Sequence, residues 1–398
     1  MNFNKLVKGG MAALMASSLV ACSSSSTTTS TAASTTTDGA FKVGLSGPLT
    51  GDASVYGVAV KNAAELAIEE INAEGGVQFE LNAQDDEADG EKAVSAYNTL
   101  ADWGMQLSLG TVTSGAGQAV SQYYADDNIF AITPSGSSTA IVFKDGDAGT
   151  QPYGNIFQMC FTDPNQGTAS ADYLAEHTDL GTKVGIIYRS DDNYSTGLYN
   201  NFVAEAEEKG LDIVATQSFT DGNTDYSVQV KACKDAGADI VFLPIYYQPA
   251  YQILVEADKE GYDVNFFGCD GMDGILTMEG VDTELCEGLY MLTPFSADAS
   301  DEATQSFVSA YEDAYGETPN QFAADAYDCM YAIKAALENS DVTAASSTDD
   351  ITAALIEQFT SMTFDGVTGT GMTWKSTGEV SKDPKAIVIE DGAYVSVE

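Results

Sequence analysis

A chain of 398 residues with 44% hydrophobic and 10% aromatic content has enough material for two cores of ordinary domain size, which excludes general disorder. Sixty acidic residues oppose 16 lysines and arginines, a formal net charge of −44. A polyanion such as nucleic acid is therefore excluded as a partner, and the acidity reads as a solvated surface that keeps the protein soluble.

The N-terminus carries Lys5 and Lys8, followed over 9–21 by small and apolar residues in a run too short to span a bilayer. This is the pattern of a secretory signal. It ends Leu19-Val20-Ala21-Cys22, which resembles the lipobox of bacterial lipoproteins, where cleavage precedes the cysteine and the thiol takes a diacylglycerol. Two or more acyl chains make a stable anchor where one does not. The expected organisation is a signal peptide at 1–21 and a lipid-anchored, Ser/Thr-rich linker at 22–40. Within it the Ser/Thr/Ala stretch from Ser23 to Asp38, a flexible tether of about 16 residues, spans roughly 20–24 Å and holds a folded body near a membrane.

From residue 41 the pattern alternates strand and helix: strands at 42–45, 77–83, 106–109 and 129–133, and helices at 57–73, 91–102 and 118–125. The order implies a parallel sheet covered on both faces, with ligands at the carboxyl ends of its strands. A second unit of the same kind begins near Asp163, with helices at 166–178, 195–210, 226–236 and 249–260 around strands at 184–188, 213–217, 240–244 and 265–269. Helices at 302–315, 320–339 and 349–362 have no strands of their own and must cover another sheet.

Two Ser/Gly-rich turns leave apolar strands of the first unit: Gly110-Thr-Val-Thr-Ser-Gly-Ala-Gly117 and Ile132-Thr-Pro-Ser-Gly-Ser137. The first opens into a helix, so the N–H groups of Ser114 to Gly117 are donors at a terminus that attracts a carboxylate or phosphate. The plainer reading is a βα turn with a serine N-cap. Val112 and Thr113 serve either a pocket or strand packing. In the second unit, Asp270 ends a buried strand, where a carboxylate needs a cation to offset desolvation, with Asp273 as the nearby alternative.

Enzyme and metal signals are weak. Gly115-Ala-Gly117 has no third glycine at Val120 to complete a dinucleotide loop, and no phosphate-binding or nucleophile-elbow motif occurs. The five cysteines after Cys22, namely Cys160, Cys233, Cys269, Cys286 and Cys329, have no CxxC spacing and only His177 for company, so no metal or cofactor is implied. They read as buried small hydrophobes, with Cys269 and Cys286 the nearest pair for a disulfide.

Several pieces, in order, resemble the solute-binding proteins of bacterial ABC importers, in the type I class that includes the leucine/isoleucine/valine-binding proteins. They are Val43-Gly-Leu-Ser-Gly-Pro-Leu-Thr-Gly51 with Tyr56-Gly57, Ala67-Ile-Glu-Glu-Ile-Asn72 with Gly75-Gly76, Asp85-Asp86, Ile132-Thr-Pro134, Tyr194 before a helix, Tyr246-Tyr247-Gln-Pro249 and Gly268-Cys-Asp-Gly271. The resemblance implies an α/β fold of two doubly wound parallel-sheet lobes with a hinged interlobe cleft. Lobe one is then 41–162 and 294–368, and lobe two 163–293 and 369–398. It further implies a lipid-anchored, extracytoplasmic monomer that captures a small amino acid, branched-chain first, and hands it to an ABC permease and its ATPase. The alternative is a ligand-sensing partner of a membrane receptor, or a binder of another amino acid or short amide.

Carried over residue by residue, the resemblance assigns Ser114, Ser135 and Ser137 to the ligand's α-carboxylate and a share of its ammonium group. Tyr56 lines the cleft from lobe one, Tyr194 and Tyr247 close over the ligand from lobe two, and Asp270 pairs with the α-ammonium. Asp270 stands where the branched-chain binders carry the longer Glu. The family's loop disulfide is also missing, the stretch after Asp86 reading Glu-Ala-Asp.

Overall fold

The computed structural model describes residues 39–146 and 149–397. The signal segment, Cys22 and all but the end of the tether lie outside the described residues. The first sheet is assembled from β1 (Phe41–Gly47), α1 (Ser54–Glu74), β2 (Phe79–Asp85), α2 (Gly90–Trp103), β3 (Leu107–Thr111), α3 (Ser114–Asp126), β4 (Phe130–Thr133) and β5 (Ile156–Gln158). Its strand order is β2-β1-β3-β4-β5, parallel throughout. The helices start where the local chemistry lets them. At α2 the Asp89 carboxylate accepts from the N–H groups of Glu91 and Lys92, both at 2.9 Å, and Gly104 ends the helix in the left-handed region at φ 89°. At α1 a Cβ on Gly57 would lie 2.2 Å from the Pro48 carbonyl oxygen, so glycine lets the first turns close onto the loop leaving β1.

The second sheet follows with α4 (Asp163–Glu176), β6 (Lys183–Arg189), α5 (Asn193–Lys209), β7 (Asp212–Phe219), α6 (Ser227–Ala236), β8 (Ile240–Leu243), α7 (Tyr247–Lys259), β9 (Asn265–Gly268) and β10 (Leu289–Thr293). The chain then runs through α8 (Glu302–Tyr315), α9 (Gln321–Glu338) and α10 (Thr348–Phe359), and ends in β11 (Lys385–Glu390) and β12 (Ala393–Ser396). The sheet order is β12-β11-β10-β9-β8-β6-β7. The last two strands run antiparallel, so the second lobe is parallel only as far as β10.

The three strandless helices do cover the first sheet. Thr352 on α10 accepts from the Phe130 N–H of β4 at 3.0 Å, and Tyr327 and Tyr331 on α9 donate to Glu70 of α1 at 2.6 and 2.9 Å. Phe130, Phe157 and Phe359 pack ring against ring within this core, centroids 5.0–5.5 Å apart. The stretch after residue 368 stays with the first lobe longer than the expected division at 369. Trp374 Nε1 donates to the Gln158 carbonyl at 2.9 Å and the Gln158 N–H donates to Gly378 O at 2.9 Å, so the chain crosses back only at the approach to Lys385. Cys160, Cys233, Cys269, Cys286 and Cys329 are buried free thiols. Among the described residues no helix is long and apolar enough to cross a membrane.

Candidate functional site

Six strand ends converge between the lobes. The first lobe contributes Tyr56 from the opening turn of α1, Val112, Thr113 and Ser114 where β3 becomes α3, Ser135 and Ser137 after β4, and Phe322 from the first turn of α9. The second lobe contributes Tyr194 from the start of α5, Tyr246 between β8 and α7, and Asp270 and Gly271 after β9. With the lobes as they stand, together they leave an enclosed space of about 10 Å³, room for about one water.

The first-lobe wall of the cavity is donor-rich. Thr113 is the N-cap of α3 but its side chain caps nothing, so the plain serine N-cap expected here is not what forms. Gly117 N–H bonds to Thr113 O at 2.9 Å, which removes it from the expected set of open donors and leaves the terminus at Ser114 to Ala116. Ser114 Oγ accepts from Ser138 N–H at 3.3 Å, tying the two serine turns together. Ser135 and Ser137 lie on the same wall.

The second lobe brings the acceptor Asp270 to the lining. Gln166 donates to Asp270 Oδ2 at 2.7 Å and to Phe161 O at 2.5 Å. Asp270 Oδ1 and Gln166 Oε1 are buried without a hydrogen bond of good geometry. Burial pushes the Asp270 carboxyl up to about 7, against the pull of Tyr194 and Gln166 beside it. Asp163, at the first turn of α4, is equally buried. Neither of its carboxylate oxygens has a well-formed hydrogen bond, although the Ser137 and Ser138 hydroxyls face it, and burial raises its carboxyl well above the usual range. Its room comes from Gly197, where a Cβ would stand 2.6 Å from Asp163 Oδ2.

Tyr56, Ser114, Ser135, Ser137, Tyr194 and Asp270 are thus brought together as expected, and Val112 and Thr113 line the same space. Tyr247 is not part of the lining. α7 begins at Tyr247 rather than at the expected residue 249, and Tyr246 is the extended residue before it (φ −73°, ψ 160°), so the two side chains leave in different directions. Tyr246 faces the cavity, its ring stacked on Tyr194 at 5.1 Å, while Tyr247 is buried edge-on against Tyr56. Asp273 is also turned away, accepting from the Gln321 N–H at 2.8 Å where α9 starts. Sequence reasoning missed Phe322 in the lining, and Gln166 and Asp163 buried behind it. Asp163-Pro164 is a helix-start signal that, read with Gln166 one turn on, puts two polar side chains on one face.

The fold of two α/β lobes defines one class of protein. The chain is a member of the periplasmic binding protein family, whose profile matches residues 40–392. Leu/Ile/Val-binding protein homolog 3 of Brucella melitensis is 27% identical over 360 residues, covering 89% of this chain and 93% of that protein. The branched-chain amino acid transporter substrate-binding protein LivJ of Streptococcus pneumoniae, solved with isoleucine, superposes with a TM-score of 0.78 at 25% identity over 90% of this chain and all of that one. A substrate-binding protein of Desulfitobacterium hafniense in complex with Leu gives 0.72 at 26% identity, with the same 90% of this chain covered and 100% of that one.

Proposed function

We propose that this protein captures a small amino acid outside the cytoplasm, with branched-chain amino acids first, and delivers it to the permease and ATPase of an ABC importer. The observation that carries this is the polarity of the cavity. Donors at Ser114, Ser135, Ser137 and the α3 terminus suit a carboxylate, and the acceptor Asp270, held from behind by Gln166, suits an ammonium group. Val112, Tyr194, Tyr246 and Phe322 remain for an apolar side chain. The chemistry is that of a zwitterion with a hydrophobic substituent, which agrees with what the Brucella relative is named for and what the Streptococcus and Desulfitobacterium structures hold.

Magnitudes agree. Micromolar affinity is about −8 kcal/mol, which for roughly nine non-hydrogen atoms of leucine is about −0.9 kcal/mol per atom. That lies under the ceiling of about −1.5 but close enough to require both charged ends to be paired in an enclosed site. Closure of the two lobes about their crossings supplies the enclosure. The lipobox-like end at Cys22 makes the protein a lipid-anchored monomer that works beside its permease.

A thermal-shift screen of the body from Asp38 onward against the twenty amino acids, urea, short amides and aromatic acids tests the reading. Ligand at about 1,000 times its Kd adds about 4 kcal/mol. The expected response is confined to Leu, Ile and Val. A response to solutes that lack an ammonium group would discard the assignment of Asp270, and silence across the panel would favour the receptor-sensor role. Membrane release of a Cys22→Ser protein tests the anchor.

A further inference from the structure

Tyr56 lines the cavity, and its hydroxyl is taken up by main-chain groups across the cleft. From α1 in the first lobe, Tyr56 Oη donates to the Gly271 carbonyl at 2.5 Å and accepts from the Tyr247 N–H at 3.2 Å, both of the second lobe. Both partners are main-chain groups, so the hydroxyl reads the position of the backbone across the cleft rather than the rotamer of a side chain. The Gly271 peptide is held on its other side as well, its N–H donating to Tyr194 Oη at 2.9 Å. A Cβ on Gly271 would lie 2.8 Å from that oxygen and 2.9 Å from Ile245 O, so the seat exists only for glycine. Gly271 follows Asp270 directly, and movement of the Asp270 carboxylate toward an ammonium group must move the same turn. Buried as it is, the Tyr56 phenol is pushed well above its ordinary pKa and stays a donor.

We propose that the Tyr56 hydroxyl is an interlobe latch: a positioning group that couples the seating of the ligand's cationic end on the Asp270-Gly271 turn to closure, without itself contacting the ligand. The proposal rests on the amino-acid-binding reading, and the experiment separates the two. Gln118 and Asn193 bond to each other across the lobes at the exposed rim. The full chain carrying Gln118→Cys and Asn193→Cys, with its native body thiols buried, is treated with a short bis-methanethiosulfonate cross-linker, whose rate reports the closed fraction.

Adding Tyr56→Phe keeps the ring and removes both hydrogen bonds. With each net hydrogen bond worth a factor of about five, cross-linking slows about five- to twentyfold. The control Tyr97→Phe loses a hydroxyl that bonds to Asp127 within the first lobe at 2.6 Å, and leaves the rate unchanged. The rank order of L-leucine, L-isoleucine and L-valine in accelerating the reaction is the same with Tyr56→Phe. A Tyr56→Phe protein that cross-links at the parent rate, or that reorders the three amino acids, overturns the latch. If none of the amino acids accelerates the parent, the binding reading fails, while the comparison of Tyr56→Phe with its parent still decides the latch.

Discussion

Asp270 gains its chemistry from where β9 stops. The strand carries it into a buried turn with one oxygen on Gln166 and the other without a well-formed partner, and burial raises its carboxyl to about 7. An ammonium ligand pairs with the ionised form. Its affinity is therefore full above about pH 7 and falls as the pH drops through that value, approaching tenfold per unit, as one proton must leave for each ligand bound. Asp270→Asn keeps the shape but removes the charge, and leaving the ligand's ammonium buried beside a neutral amide costs about 2–4 kcal/mol. Calorimetric titration with L-leucine should find the affinity about 30- to 1,000-fold weaker and its dependence on pH flattened between pH 5.5 and 8. An Asn variant that retains the parent's pH profile would move the titrating role to Asp163.

At the scale of the elements, the cleft depends on how closely α1 approaches the loop after β1. Gly57→Ala puts a methyl group 2.2 Å from the Pro48 carbonyl oxygen, a main-chain atom that cannot rotate aside. The expected cost is roughly 2–3 kcal/mol, seen as a fall in Tm of several degrees, with weaker ligand binding because Tyr56 is the preceding residue. Asp89→Ala removes the cap of α2 and should cost only about 1 kcal/mol, with binding intact because Asp89 does not line the space around Asp270. The same elements explain what the sequence made legible. β6 and β8 are buried on both faces of a parallel sheet, so Val184-Gly-Ile-Ile and Ile240-Val-Phe-Leu stand out as continuous apolar runs. β5 has three residues and therefore no periodicity to read, and β11 and β12 escaped although Asp391-Gly392, both at positive φ, is a hairpin turn signal. Ser114, Ser135, Ser137 and Asp270 were legible because they end strands. Tyr246 was exchanged for Tyr247 because a helix start displaced by two residues redirects each side chain, and Phe322 reaches the cleft from an element whose approach no local pattern encodes.

For the whole molecule, acidity and burial act in the same direction on stability. Asp86 and Asp273 are raised by burial to about 6, and Asp270 and Asp325 to about 7, the last despite the Lys382 ammonium at 2.5 Å. A carboxyl whose folded pKa exceeds its unfolded value near 4 binds its proton more tightly in the native state. Its contribution is complete below about pH 4, declines as the pH rises through the folded value, and is gone above it. Ionisation of the surface acids adds repulsion over the lower part of this range, with a formal charge of −44 reached at neutral pH. The free protein should therefore melt several degrees lower at pH 8 than at pH 5. Raising the salt from 10 to 150 mM, which shortens the screening length from about 30 to about 8 Å, should recover the share due to surface repulsion but little of the share due to buried carboxyls. A saturating amino acid that pairs with Asp270 should lift the melting temperature more at pH 8 than at pH 5, because at the higher pH it meets a carboxylate that is already ionised. Melting curves at four pH values and two salt concentrations, each with and without L-leucine, test all three statements. A melting temperature that rises from pH 5 to pH 8 in the free protein would mean that these buried acids are ionised in the native state, and that pairing or water, rather than burial, governs them.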